Sequence, residues 1–302
     1  GTVANGSSTD KTFTVTNSGG VAATSMAGGG LAVPYSFKGG SYPGTGGTFA
    51  GSLAGGSTTC TIVVTFNSAS SGTYSDTIEL DYNDGVNTQQ AQRAITGTSA
   101  APASLSISDG VTYDFGNVAN GGTAEKTFTV SNGGGFAALS MSGSGLAAPF
   151  DFKGGSYPGS GGTCGATLVG GGSCTIVVSY SPTSIGSHSD TIDIPYNDGS
   201  NSQTASRPVQ GVGAAPASLS ISDGATFNYG TVAQGSSNDK TFTLTNNGGA
   251  AASTVAGTGL SAPFSFKGGT FPGTGGTCGA TLNPSTSCTF VVNYSPGSVT
   301  SS

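Results

Sequence analysis

The chain has no tryptophan, one histidine, two glutamates, and only 8 lysines and arginines in 302 residues. Each scarcity removes a class of function. A protein that grips a phosphate backbone needs clustered cations, and here they are few, scattered and outweighed by a net charge of −6. The one histidine, His188, lies in a serine-rich approach to a strand. It supplies no general base that a Ser-His-Asp arrangement could use throughout the chain. With Glu79 and Glu125 the only glutamates and the Asp-Asp pairs in turns, the facing carboxylates of a glycosidase are not expected. A membrane helix needs about 20 apolar residues in a row, and no such run occurs. Charged residues make up 7%, too little for the highly charged composition of a disordered chain. Glycine is abundant, 54 residues, but without the three-residue period of collagen. The expectation is a folded non-enzyme with no cofactor and no resident metal.

What the chain does have is repetition. APASLSISDG at Ala101–Gly110 recurs unchanged at Ala215–Gly224. FKGGSYPG at Phe37–Gly44 recurs at Phe152–Gly159 and, as FKGGTFPG, at Phe266–Gly273. The spacing of about 114 residues is the size of an ordinary domain rather than of a solenoid repeat. Three units follow: residues 1–100 with the first strand missing, 101–214 complete, and 215–302 with the last strands missing. The opening GTVANG matches the mid-unit GNVANG of Gly116–Gly121, and the closing Tyr294-Ser-Pro-Gly matches the mid-unit Tyr180-Ser-Pro-Thr. The expectation is a slice of a longer polypeptide, so a missing leader or anchor carries no information about location.

Within each unit the apolar period is two. Ile62, Val64 and Phe66 share one face, as do Ile78, Leu80 and Tyr82, and Leu105 alternates with Ile107 across serine. Such runs of β-branched and aromatic residues, bounded by Gly, Asn, Ser and Pro clusters, predict half-buried strands. Asn83-Asp84-Gly85 and Asn197-Asp198-Gly199 predict hairpins, because an Asp-Gly turn accommodates positive φ. Seven or eight short strands per unit predict an all-β chain of tandem immunoglobulin-like β-sandwich domains. Ala-Ala-Pro at Ala100–Pro102 and again at Ala214–Pro216 predicts a short, stiffened joint between units.

The run from Leu105 through DFGNVANG (Asp114–Gly121), KTFTVSN (Lys126–Asn132) and CTIVVSYSPTSIGSHSDTI (Cys174–Ile192) resembles the bacterial Ig-like surface repeats called choice-of-anchor D. It is also similar to the wider Hydin-type (ASH) sandwiches. The resemblance implies a seven-stranded sandwich in secreted or surface-attached bacterial proteins, and no catalytic residues.

Cys164 and Cys174 are ten apart, and so are Cys278 and Cys288. Two thiols without a neighbouring His or Cys are half a zinc site, and a redox pair would be closer in sequence. A disulfide in each unit, and hence an oxidising compartment, is the expectation. Phe49 stands where a partner for Cys60 would be, so Cys60 is expected as a free, buried thiol. Calcium wants six to eight oxygens, and Asp109 and Asp223 beyond the joints, Asp190 with Asp193, and Asp76 with Asp81 form no D-x-D-x-D-G run. Turn capping is the expectation for them. The glycine-rich segment after each FK holds an aromatic beside proline. Tyr42, Tyr157 and Phe271 are therefore the candidate contact loop for a sugar or a neighbouring domain.

Taken together these features predict a structural extracellular repeat protein, a stalk, fibre or adhesin shaft at a bacterial cell surface. Its partners would be neighbouring repeats or other copies of the chain. The alternative is a binding module that recognises glycan or a partner protein through the glycine-rich loops. Neither nucleic acid nor a membrane span is expected.

Overall fold

In the computed structural model, residues 1–297 are described. Residues 298–302, the end of the third unit, lie outside the described residues. The described chain is all-β, with no helix.

The second unit is the most completely built. Four strands form one sheet in the order Phe150–Phe152, Ser173–Tyr180, Ala124–Asn132, Leu105–Ile107. Five form the other, in the order Thr167–Leu168, Ala138–Leu139, Gly186–Asn197, Ser202–Ala214, Tyr113–Ala119. This is more than the seven or eight expected. The surplus comes from the two-residue strands Ala138–Leu139 and Thr167–Leu168, which flank the glycine-rich segment and are too short for alternation to reveal.

The alternating residues face each other across the sandwich. Phe128, Val130, Ile176, Val178 and Tyr180 of one sheet, and Ile192 and Ile194 of the other, are fully buried. Threonines 127 and 129 take the solvent side. Phe150 stacks on Tyr180 with centroids 4.6 Å apart, and Phe115 closes on both at 5.9 and 5.6 Å. Each such side chain contributes about 1.5–3 kcal/mol on burial. The hairpin foreseen at Asn197-Asp198-Gly199 joins Gly186–Asn197 to Ser202–Ala214 over twelve paired positions. Asp198 shapes the turn by accepting from the amides of Ser200 and Asn201. The first unit has the same hairpin, with Asp84 accepting from Val86 and Asn87.

The outer units keep parts of this plan. The first has a four-stranded sheet, Thr2–Ala4, Thr88–Ala100, Gly72–Asn83 and Thr24–Gly29, facing a three-stranded one, Ser8–Asn17, Thr58–Asn67 and Tyr35–Phe37. The third has Leu219–Ile221, Asn238–Asn246, Ser287–Tyr294 and Phe264–Phe266 in one sheet. Opposite it, among the described residues, stands only the pair Ala252–Ser253 and Thr281–Leu282. Identical sequence then meets different surroundings. Ile107 is 4% exposed, while its counterpart Ile221 is 55% exposed.

Candidate functional site

Among the described residues no group of three or more His, Cys, Asp or Glu side chains is placed to hold a metal. The feature that recurs with built geometry is the joint between units. It begins where a long strand runs out: Thr88–Ala100 ends at Ala100, whose carbonyl accepts from the Asn5 amide at 2.8 Å. The next residue already belongs to the following unit, since the Ala101 carbonyl accepts from the amides of Gly135 and Phe136. The amide of Ala103 then donates to the Asp198 carbonyl. Across the boundary the Ser7 hydroxyl donates to the Gly199 carbonyl at 2.8 Å and meets the Ser200 hydroxyl at 2.7 Å.

One side chain ties this entry in place. Asn132 is 2% exposed. Its Oδ1 accepts from the amides of Ser104 and Gly134, both at 3.0 Å. Its Nδ2 donates to the carbonyls of Phe136, Leu168 and Val169. The entering chain, the glycine turn and the disulfide loop are thus fastened to a single amide. Gly134 permits this, because a methyl there would sit 2.0 Å from the Pro102 carbonyl oxygen. The second joint repeats the device. Gly249 donates to the Ala215 carbonyl, and buried Asn246 accepts from Ser218 and Gly248 and donates to Ala250 and Leu282. Asn117 Nδ2 reaches across the boundary to the Gly249 carbonyl at 3.4 Å. In the sequence these asparagines stand at the end of an alternating run, just before glycines. Their role arises from four segments converging in space.

The candidate contact loop is folded back onto its own sandwich. The Val177 amide donates to the Pro158 carbonyl, and the Lys153 amide to the Val177 carbonyl, so the loop runs along the Ser173–Tyr180 strand. This explains why Val177, on the outer face of its sheet, is only 7% exposed. Tyr157 stands edge-on to Phe152 at 5.7 Å and lies over Gly143, where a methyl would meet the ring at 2.5 Å. Tyr42 and Phe271 repeat the arrangement on Phe37 and Phe266. All three rings are half-buried. Burial pushes the Tyr42 hydroxyl up to about 12 and raises that of Tyr157. Lys38, Lys153 and Lys267, each just before the glycines, pair with Asp10, Glu125 and Asp239 at 2.7–2.8 Å on the surface.

Cys164 is bonded to Cys174, and Cys278 to Cys288. Each staple joins the end of the glycine-rich segment to the strand beside it. Cys60 is free and buried. Phe49 packs 5.4 Å from Tyr42 in the place of the staple, and burial pushes the Cys60 thiol up to about 11. The expected result of thiol titration at pH 8 is no reaction in the native chain and one thiol on unfolding without reductant. Prior reduction should add four. More than one thiol in the unreduced, unfolded chain would break the pairing.

The aspartates with candidate calcium spacing have protein partners. Asp109 pairs with Lys126 at 2.7 Å and Asp223 with Lys240 at 2.8 Å. Hydrogen bonds from the lysine and then from the adjacent serine lower both carboxyl pKa values. Each lysine also lies over an aromatic ring, Tyr113 at 4.9 Å and Phe227 at 4.4 Å. Asp76 and Asp190 accept from the backbone amides of Ala32 and Ala147, Asp81 from the Gln90 side chain and Asp193 from the Ser206 hydroxyl. Both ring nitrogens of His188 are taken, by the hydroxyls of Tyr180 and Ser184.

Fold and joint together define a tandem array of immunoglobulin-like β-sandwich units, each locked to the next by the same short connection. Residues 105–211, which are the second unit without its flanks, match the family described as HYDIN/CFA65/VesB-like, Ig-like domain. The central unit is in this sense Ig-like and Hydin-type; the match spans about a third of the chain. Comparison with curated proteins gives no match. Similar solved structures include the Vibrio cholerae VesB protease, at 17% identity over 37% of this chain and 32% of that one, with a TM-score of 0.30. The ASH/PapD-like domain 7 of human CEP192 is 17% identical over 38% of this chain and 88% of its own, with a TM-score of 0.30. A three-Ig segment of titin is 10% identical over 99% of this chain and 86% of its own, with a TM-score of 0.35.

Proposed function

We propose that the chain is a structural repeat protein whose task is spacing: an extended extracellular shaft, stalk or fibre segment of a bacterial surface protein of the choice-of-anchor D kind. The carrying observation is the joint. A connection fixed by backbone hydrogen bonds, a buried asparagine and a proline holds each unit to the next. A flexible tether between independent domains has no use for that construction. The two disulfides fit an oxidising, extracellular setting. No helix among the described residues is long and apolar enough to cross a membrane. The glycine-rich loops are assigned to packing rather than to glycan recognition, because each aromatic lies on its own glycine and core ring.

Small-angle scattering of the chain tests the reading. The expected profile is that of a rod. Replacing Pro102 and Pro216 by glycine should shorten the largest dimension by loosening both joints. A compact particle, or a profile unmoved by the double substitution, would overturn the proposal.

A further inference from the structure

Aspartate or asparagine followed by glycine is a place where a protein backbone can rearrange on its own. The glycine nitrogen attacks the side-chain carbonyl carbon, and a glycine without Cβ lets it come close. The chain has four Asp-Gly pairs, at Asp84, Asp109, Asp198 and Asp223, and four Asn-Gly pairs, at Asn5, Asn120, Asn132 and Asn247. The fold treats them unequally.

In six of the eight the glycine amide is committed. Gly85 donates to Asn83 Oδ1 and Gly199 to Asn197 Oδ1, both at 2.8 Å. Gly6, Gly121 and Gly133 donate to the carbonyls of Ser68, Pro182 and Ser104, and Gly248 to Asn246 Oδ1. A donated N–H must give up its bond before its nitrogen can attack. Asp84 and Asp198 are pinned as well, each carboxylate accepting from two amides further round its turn.

Asp109-Gly110 and Asp223-Gly224 lack that lock. Among the described residues the Gly110 and Gly224 amides donate to no protein group. Both pairs are exposed. The aspartates stand at φ +74° and +68°, in the left-handed region that strains an ordinary L-residue. Each carboxylate is held by one bond from a lysine, Lys126 or Lys240, and one from the preceding serine. Partly exposed ion pairs of this kind hold their members weakly.

We propose that Asp109 and Asp223 are the sites of spontaneous isoaspartate formation in this chain. With the carboxyl neutral, the Gly110 nitrogen bonds to Asp109 Cγ and loses its proton to solvent. The carboxyl hydroxyl takes up a proton and leaves as water, which closes a five-membered succinimide. Water then adds back to the ring. If the new Cγ–N bond breaks, aspartate is restored. If the original backbone C–N bond breaks, the chain runs on through Cβ and Cγ and leaves a free α-carboxylate. Nothing is oxidised or reduced, and the net change is an isomerisation. The product shifts the carboxylate that Lys126 holds, two residues beyond the edge strand Leu105–Ile107, which pairs with Val130–Asn132. The entry segments of the second and third units therefore carry an ageing mark.

The test incubates the whole chain at pH 5 and 37 °C, folded and in urea, and maps isoaspartate by mass spectrometry of its peptides. In urea all four Asp-Gly pairs should convert at similar rates. In the folded chain Asp109 and Asp223 should convert roughly tenfold faster than Asp84 and Asp198, the factor set by a hydrogen bond that must open first. Lys126→Met should speed Asp109 roughly twofold to fivefold and leave Asp223 as it was. The hydrogen bond from Lys126 holds the Asp109 carboxyl below its ordinary range and so out of the reactive neutral form. Equal rates at all four pairs of the folded chain would overturn the proposal. So would faster conversion at Asp84 or Asp198, the absence of isoaspartate at Asp109 and Asp223, or a Lys126→Met chain in which Asp223 accelerates as much as Asp109.

Discussion

Asn132→Ala should lower the stability of the second unit by about 3–5 kcal/mol, while Asn17→Ala in the first unit should cost about 1 kcal/mol. The residues occupy equivalent positions and look alike in sequence. Asn132 is buried and serves five backbone groups, among them the amides of Ser104 and Gly134. Its loss strands the Gly134 amide and the Leu168 carbonyl, both in buried bonds, and breaks three part-buried ones, at roughly 1–3 kcal/mol for each stranded group. Asn17 is half-exposed and serves only Gly19, Val21 and Leu53, so water takes over part of its work. Hydrogen exchange resolved by segment reads the opening free energy of each unit separately. Equal losses would show that the asparagine matters only to its local turn.

Gly159→Ala should be comparably severe, at about 3–5 kcal/mol, and Gly161→Ala two residues later should cost only about 1–2 kcal/mol. Both glycines have φ close to +90°, at +87° and +89°. The difference is what a methyl would meet. At Gly159 it would lie 2.1 Å from the Val177 carbonyl oxygen and 3.2 Å from the Lys153 nitrogen, backbone atoms that cannot swing aside. At Gly161 nothing stands within 4 Å. The first substitution adds a collision to a strained backbone, and the second adds strain alone. Thermal unfolding of the two variants separates these contributions, and equal shifts in melting temperature would refute the collision argument.

The long strands were legible because their alternation is unbroken: Ile192, Ile194 and Tyr196 declare one face whatever lies opposite. The hairpin at Asp198 was legible because its turn chemistry is local. The Asn132 anchorage was not, since serine-asparagine-glycine reads as an ordinary turn and its partners lie as far away as Leu168 and Val169. The inward pose of Tyr157 was hidden for a related reason. A tyrosine amid glycine and proline reads as exposed, and the surface that receives it is Gly143, fourteen residues upstream, whose contribution is the absence of a side chain.

The strand that enters the second sheet early, Tyr113–Ala119, lies beside the one that leaves it last, Ser202–Ala214, and the two run parallel. Their register couples five residue pairs from Val209 with Tyr113 to Ala214 with Ala119. Tension drawn through the polypeptide pulls these neighbours along their length in opposite directions. The bonds between them are then sheared together rather than peeled one after another. Rupture requires all of them to yield at once, so this seam sets how hard a unit can be pulled before it opens. Thr2–Ala4 beside Thr88–Ala100 repeats the seam over three pairs in the first unit. In a shaft that transmits force, this parallel seam is the place where a unit resists the pull.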